Sequence, residues 1–277
     1  AHRGHPGARV GPDSLGVYPM RLLFIGDAFA RPGLRMIETH VPRLRDELEL
    51  NFVVANGENL ADGAGITSRL ARRVLAAGVD VITLGNHALR QREIYPYLNT
   101  EPRIVRPANF ARKAPGHSHV VCQDTNGYRL GVVTMMGSLF LEPAVAPFEI
   151  AEDLIEKLRA ESDALLLDFH AEATSEKIAI ARLLAGKLTA VIGTHTHVQT
   201  NDARVLTGGT AFMTDAGMTG PHDSVIGVRT DLILARFATG APVRFEPADG
   251  DVRLEGALIE FEPSGRATAI EAFRLSE

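Results

Sequence analysis

The sequence predicts an α/β fold built as a four-layer sandwich, with two stacked mixed β-sheets flanked by helices. Three observations carry this. From Met20 onward, short apolar runs alternate with amphipathic stretches, the pattern of strands joined by helices. The last third of the chain reads mainly as β, which calls for a second sheet rather than a continued alternation. Polar residues able to bind a metal recur just after successive apolar runs, where strand carboxyl ends would line one crevice.

Taken in order, 22–25 reads as the first strand, followed by a helix from about Gly33 that Pro42 should kink or interrupt. Residues 52–55 form the second strand. Thr67 then caps a helix running to about Ala77, with Gly78 as its stop. A third strand over 79–84 leads to a helical stretch near 92–98. The segments 119–123 and 129–135 flank an Asn126-Gly127 turn and read as a hairpin. Helix is expected at 150–160, strand at 164–168, a capped helix at 175–185 and strand at 190–193. Strands are then expected at 210–214, 232–237, 252–261 and 267–274. No repeat, low-complexity segment or linker breaks 20–277, which reads as a single domain.

Composition narrows the function classes. Of 277 residues, 29 are Lys or Arg and 34 are Asp or Glu, a net charge of −5 that argues against an extended duplex nucleic-acid surface. A small anionic substrate in a metal-lined cleft stays compatible. Cys122 is the single cysteine, so no intrachain disulfide can form and a reducing, cytoplasmic setting is expected. It reads as a small buried apolar residue. No apolar run approaches the roughly 20 residues of a transmembrane helix, so no membrane partner is expected. Residues 1–19, rich in Gly, Pro, Arg and His, read as an expression remnant or disordered extension. His2 and His5 are therefore set aside.

The most informative stretch is Thr194-His195-Thr196-His197, after the apolar run Val191-Ile192 and Gly193. Alternate residues of an extended segment share a face, so two imidazoles here can converge on one centre. Partners stand in the same setting elsewhere: Asp27 after Phe24-Ile25-Gly26, Glu58 and Asn59 after Asn56-Gly57, Asn86 and His87 after Leu84-Gly85, and His170 after Asp168-Phe169. Singly, Asp27 reads as a helix cap, Glu58-Asn59 and Asn86 as turn residues, and His87 and His170 as polar groups satisfied by backbone. As a set they make an oxygen and imidazole donor group without thiolate, which suits Mn, Fe or Zn. They exceed what one ion needs, and two ions bridged by a carboxylate use them well. His117 and His119 form another His-x-His, but beside Pro115-Gly116, and read as surface loop. Asp168 reads equally well as a structural residue or as one orienting an imidazole.

The order Gly-Asp, Gly-Glu-Asn, Gly-Asn-His, isolated His and Gly-Thr-His-Thr-His resembles the calcineurin-like metallophosphoesterases. The stretches Ala55-Asn56-Gly57-Glu58-Asn59, 168–177, 193–200 and 214–220 resemble the bacterial YmdB-like branch, over about residue 20 to the C-terminus. The resemblance implies the metallophosphoesterase-like sandwich and two divalent or trivalent transition-metal ions. It implies that Asp27, Asn59 and His197 hold one ion, that Asn86, His170 and His195 hold the other, and that Glu58 bridges them. His87 is then the proton donor to the leaving oxygen. The superfamily's usual Asp-x-His is here Asp27-Ala28-Phe29, with Asn59 as the implied replacement, which favours Fe or Mn over Zn. Ala88 stands where the wider superfamily often has an acidic residue, so either the partner that orients His87 lies elsewhere or catalysis is slow.

The implied substrate is a small phosphate ester, above all a 2′,3′-cyclic nucleotide, opened by in-line attack of metal-bound hydroxide. The alternatives are a phosphomonoesterase or nuclease of the same chemistry, or a regulatory nucleotide- or metal-binding protein with weak catalysis. Thr219 and His222, in a Gly-rich loop, are candidates for touching the substrate, and related proteins suggest a homo-oligomer.

Overall fold

A computed structural model describes residues 19–277. The 1–19 extension, apart from Pro19, lies outside the described residues, as do His2 and His5. The first half runs β1 (Met20–Ile25), β2 (Asp27–Ala28), α1 (Ala30–Glu47), β3 (Phe52–Asn56), α2 (Ser68–Ala76), β4 (Val81–Thr83), α3 (Tyr95–Thr100) and β5 (Ile104–Val105). Next come β6 (His119–Gln123), β7 (Arg129–Met136), α4 (Pro147–Arg159), β8 (Ala164–His170), α5 (Thr174–Leu183) and β9 (Ala190–Thr194). The chain ends with β10 (Arg204–Leu206), β11 (Thr210–Met213), β12 (Met218–Pro221), α6 (Thr230–Thr239), β13 (Val252–Phe261) and β14 (Ala267–Ser276).

The strands form the two expected mixed sheets. One has the order β2-β12-β13-β1-β3-β4-β5, with β14 also on β13. The other has the order β10-β11-β9-β8-β7-β6. In the first, β1, β3, β4 and β5 run parallel while β13 lies antiparallel to β1. In the second, β7, β8, β9 and β11 are parallel between antiparallel edges.

Side-chain alternation builds the layers. Leu22 and Phe24 of β1 point to the inner layer, where Val54, Val81 and Ile259 meet Val132, Leu166, Ile192 and Met213 of the other sheet. Leu23 and Ile25 point outward, against Leu34, Ile37 and Val41 of α1 and Val74 of α2. On the far side, Val133, Leu165, Leu167 and Val191 pack on Ile155 and Leu158 of α4 and Ile180 of α5. Parallel strands buried on both faces explain the nearly continuous apolar runs.

Three local expectations are corrected. Helix α1 starts at Ala30 rather than near Gly33 and runs through Pro42 without a break. Pro42 faces solvent, and the buried stripe Ile37, Val41 and Leu44 passes beneath it, so packing outweighs the lost backbone bond. Residues 232–237, read as strand, lie in α6. Leu, Ala and Arg there favour helix, and a six-residue apolar run does not separate the two periods. Helix α5 has no side-chain cap at its start.

At one end the two sheets are stitched together by buried polar contacts. Thr83 Oγ1 at the end of β4 donates to Asp168 Oδ2 of β8 at 2.5 Å, and Asn56 Nδ2 of β3 donates to the same oxygen at 3.0 Å. Thr134 Oγ1 of β7 donates to the Leu84 carbonyl at 3.1 Å. These bonds fix how the carboxyl ends of the parallel strands of both sheets meet, and every residue singled out as a metal candidate leaves one of those ends.

Candidate metal centre

Strand β8 delivers His170 fully buried, with its Nε2 at the centre of a tight group. Glu58 Oε1 lies 2.9 Å away, Asn86 Oδ1 2.9 Å and His195 Nδ1 3.0 Å. Suitable ligand atoms of Glu58, His170 and His195 all fall within 4.8 Å of one another, the one such His, Cys, Asp or Glu cluster among the described residues. Gly85, just before Asn86, permits the approach, because a Cβ there would lie 2.3 to 2.5 Å from the His170 ring.

A second group adjoins it. Asp27 Oδ1 is 3.7 Å from His197 Nε2, and Asn59 Nδ2 is 3.1 Å from His197 Nε2 and 3.4 Å from Asp27 Oδ1. Phe29, at the place where an imidazole was missed in the sequence, packs edge-on against His197 with ring centroids 5.8 Å apart. The groups are joined through Asp27, whose Oδ2 accepts the His195 backbone N–H at 3.0 Å. They are joined again through His87, whose backbone N–H donates to the other Glu58 oxygen at 2.9 Å and whose Nδ1 lies 2.9 Å from Asn59 Oδ1.

The two imidazoles of Thr194-His195-Thr196-His197 divide between these groups. The reason differs from the expectation of an extended segment. His195 has φ 99° and His197 φ 65°, so the chain leaves the extended region directly after Thr194. Side chains then no longer alternate, and the two rings turn to different partners. Positive φ at two non-glycine residues this close together costs free energy and persists only where surrounding contacts fix it.

Those contacts are visible. Thr196, between the two histidines, donates both its N–H (3.2 Å) and its hydroxyl (2.8 Å) to Asp215 Oδ2. That oxygen also accepts from Lys177 Nζ at 2.7 Å, and both members of the pair are 1% exposed. Sequence reasoning missed Lys177, Glu172 and Asp215, although all three lie in stretches that carried the family resemblance. The signal was the density of charge around His170, with no partner yet visible for each charge.

Each candidate imidazole also directs its second nitrogen to an acceptor. His170 Nδ1 donates to Thr194 Oγ1 at 2.9 Å, and that hydroxyl donates to Asp168 Oδ1 at 2.6 Å. His195 Nε2 lies 3.1 Å from Glu172, and His197 Nδ1 donates to the Ile226 carbonyl at 3.0 Å. Such remote acceptors set the tautomer that turns a bare nitrogen inward. Asp168 thus acts on His170 through Thr194.

The electrostatics match a place built for positive charge. Burial would lower the His170 pKa, but the Glu58, Asp27 and Asp168 carboxylates outweigh it and push it up to about 9. Burial opposes ionisation of Glu58, yet His170 and His87 hold it at about 2. His195 is driven down to about 3, first by burial and then by His170. One proton on His170 Nε2 faces three acceptors and can satisfy only one well, whereas a cation satisfies all of them at once. The donor set therefore fits a metal ion.

His87 stands at the edge, with its side chain 27% exposed and Nδ1 2.9 Å from Asn59 Oδ1. Asn59 is thus the orienting partner absent from position 88. Burial lowers the His87 pKa, against the pull of Glu58. Thr219 pairs with Ala28 beside Asp27, while its side chain and that of His222 turn to β13. The Thr219 hydroxyl, fully buried, donates to the Glu255 carbonyl at 3.1 Å, and His222 Nε2 faces the Glu255 carboxylate at 3.3 Å. Of the other His-x-His, His119 opens β6, half-buried, and His117 belongs to no cluster of metal-binding side chains among the described residues.

The chain is similar to known proteins over most of its length. The family model described as YmdB-like protein matches residues 23–273. Over 259 residues the chain is 41% identical to the 2′,3′-cyclic-nucleotide 2′-phosphodiesterase of Bacillus subtilis (strain 168), covering 93% of this chain and 98% of that protein. A crystal structure of a hypothetical protein from Thermus thermophilus superposes with a TM-score of 0.87 at 43% identity, covering 93% of this chain and all of that one. A crystal structure of a novel phosphatase from Mycoplasma pneumoniae also gives 0.87, at 29% identity, covering 94% of this chain and 95% of that one.

Proposed function

The chain belongs to the YmdB-like protein family, and from that premise we propose that it is a dinuclear-metal phosphodiesterase hydrolysing 2′,3′-cyclic nucleotides. The observation that carries the metal is the crowding of Glu58 Oε1, Asn86 Oδ1 and His195 Nδ1 within 3.0 Å of His170 Nε2. The substrate class follows the activity in the name of the Bacillus subtilis relative.

Asn86, His170 and His195 would hold one ion, Asp27, Asn59 and His197 the other, with Glu58 shared. For Asn59 this asks that the amide turn its oxygen toward the ion that Asp27 and His197 would hold, which sets its Nδ2 against His87 Nδ1 and leaves the His87 proton on Nε2. Oxygen-rich ligands with no thiolate favour Fe or Mn over Zn. Such ions, when bound, supply Lewis acidity and the nucleophile for in-line displacement at phosphorus. His87, part-exposed and with no hydrogen bond to its Nε2 among the described residues, passes a proton to the departing ribose oxygen. The anionic substrate opposes the lowering of its pKa by burial and favours a proton held on that nitrogen. Cleavage at the 2′ oxygen, as in the relative's name, leaves a nucleoside 3′-phosphate.

The test is hydrolysis of 2′,3′-cyclic AMP by Mn- or Fe-loaded protein beside a phosphomonoester panel. His87→Ala should keep its metal and lose roughly 100-fold or more in kcat. Glu58→Ala should lose both metal and activity. Full activity in Glu58→Ala, or in chelator-stripped protein, overturns the mechanism. Turnover of monoesters alone moves the assignment to a phosphatase.

A further inference from the structure

Strand β7 lies beside β8, with Met136 opposite His170, and Gly137 donates its N–H to the His170 carbonyl at 3.0 Å. Immediately beyond, Ser138 and Leu139 donate their backbone N–H groups to the two oxygens of Glu176, at 2.8 and 3.0 Å. Glu176 is itself only 7% exposed, so a buried carboxylate from α5 fixes the start of this loop. What the loop then displays is Phe140, 87% exposed and at φ 66°.

A phenyl ring left in water while its backbone is held in the left-handed region is unfavourable twice over. Two residues lie between it and Gly137, so its Cα is at most about 11 Å from that of Gly137, which bonds to the end of the His170 strand. We propose that Phe140 is a stacking shelf for the nucleobase of the substrate, purines before pyrimidines because they cover more of the ring. This rests on the cyclic-nucleotide reading above. Aromatic faces bind bases by stacking without hydrogen-bond readout, so the shelf fits a site that recognises the phosphate through charge and the base through its face. Glu176 then has a positioning role, since its two accepted bonds hold the shelf in place.

The experiment compares 2′,3′-cyclic AMP with glycerol 1,2-cyclic phosphate, a diester with no base, on metal-loaded wild type, Phe140→Ala and Phe140→Trp. In Phe140→Ala, KM for the nucleotide should rise about tenfold with kcat unchanged. KM for the glycerol ester should stay put, and Phe140→Trp should restore the nucleotide value. An unchanged nucleotide KM, or an equal rise for both substrates, overturns the shelf. A change in assembly state by light scattering in Phe140→Ala also overturns it and assigns the ring to a contact between copies. If wild type turns over neither substrate, the cyclic-nucleotide reading falls and takes the shelf with it. Wild-type turnover that Phe140→Ala leaves unaltered sinks the shelf alone.

Discussion

Gly85 shows how much one residue can decide. Any side chain there collides with the His170 ring, so Gly85→Ala should push the imidazole out of line. Metal content measured by mass spectrometry should fall well below wild type while circular dichroism stays unchanged. Retention of full metal content would show that the ring can retreat. Cys122 makes the opposite case, a reactive atom kept inert. Burial, helped by Asp80, raises its thiol from 9.0 to about 12. A raised folded-state pKa means that the unfolded chain ionises first. Below pH 9 the thiol therefore contributes nothing pH-dependent, and stability drains away between about pH 9 and 12. The native protein should resist alkylation at pH 8 and react on unfolding. Its loss of urea midpoint from pH 8 to pH 10 should shrink in Cys122→Ala. Equal losses in both proteins would place the alkaline sensitivity elsewhere.

At the scale of elements, the segment 168–177 is one device joining β8 to α5. Asp168 orients His170 through Thr194, Glu172 takes His195, Glu176 pins the loop after β7, and Lys177 pairs with Asp215. Lys177→Met leaves a buried carboxylate uncompensated and should cost about 3–5 kcal/mol in urea unfolding. Because Asp215 also holds Thr196 between the two histidines, metal affinity in titration should drop about 10- to 100-fold. A stability loss with unchanged affinity would separate the ion pair from the histidine loop. The split of His195 from His197 belongs to this scale too, since it arises from backbone that β9 releases at Thr194 and Asp215 recaptures at Thr196.

For the whole molecule, the centre lies where two sheets meet, so its integrity and that of the fold are linked. Phe24 fills the layer between the sheets, and Phe24→Ala should cost about 3–5 kcal/mol by chemical denaturation. A ligand that binds only the folded state stabilises it in proportion to the logarithm of its concentration. Thermal melting should therefore rise with added Mn in wild type and stay flat in Glu58→Ala. A parallel rise in both would mean that the ion acts elsewhere on the surface.

Much of this was legible in sequence. Alternating apolar runs encode strands through burial on both faces, and glycine followed by Asp, Glu-Asn, Asn-His or His marks where a strand stops and chemistry begins. Both signals are local, and both led to the two sheets and to eight candidate residues, seven of which stand in two adjoining groups with His87 at their edge. Residues 232–237 read as strand because a short, mostly apolar run fits either period, whereas in α6 they bury only Ile233. What the tertiary structure alone decided is which residues stand behind the first ones. Glu172, Lys177 and Asp215 look like ordinary surface charges until two sheets bring them to their partners. The division of His195 from His197 depends on φ angles that no spacing reports, because they are imposed by contacts from residues far away in the chain.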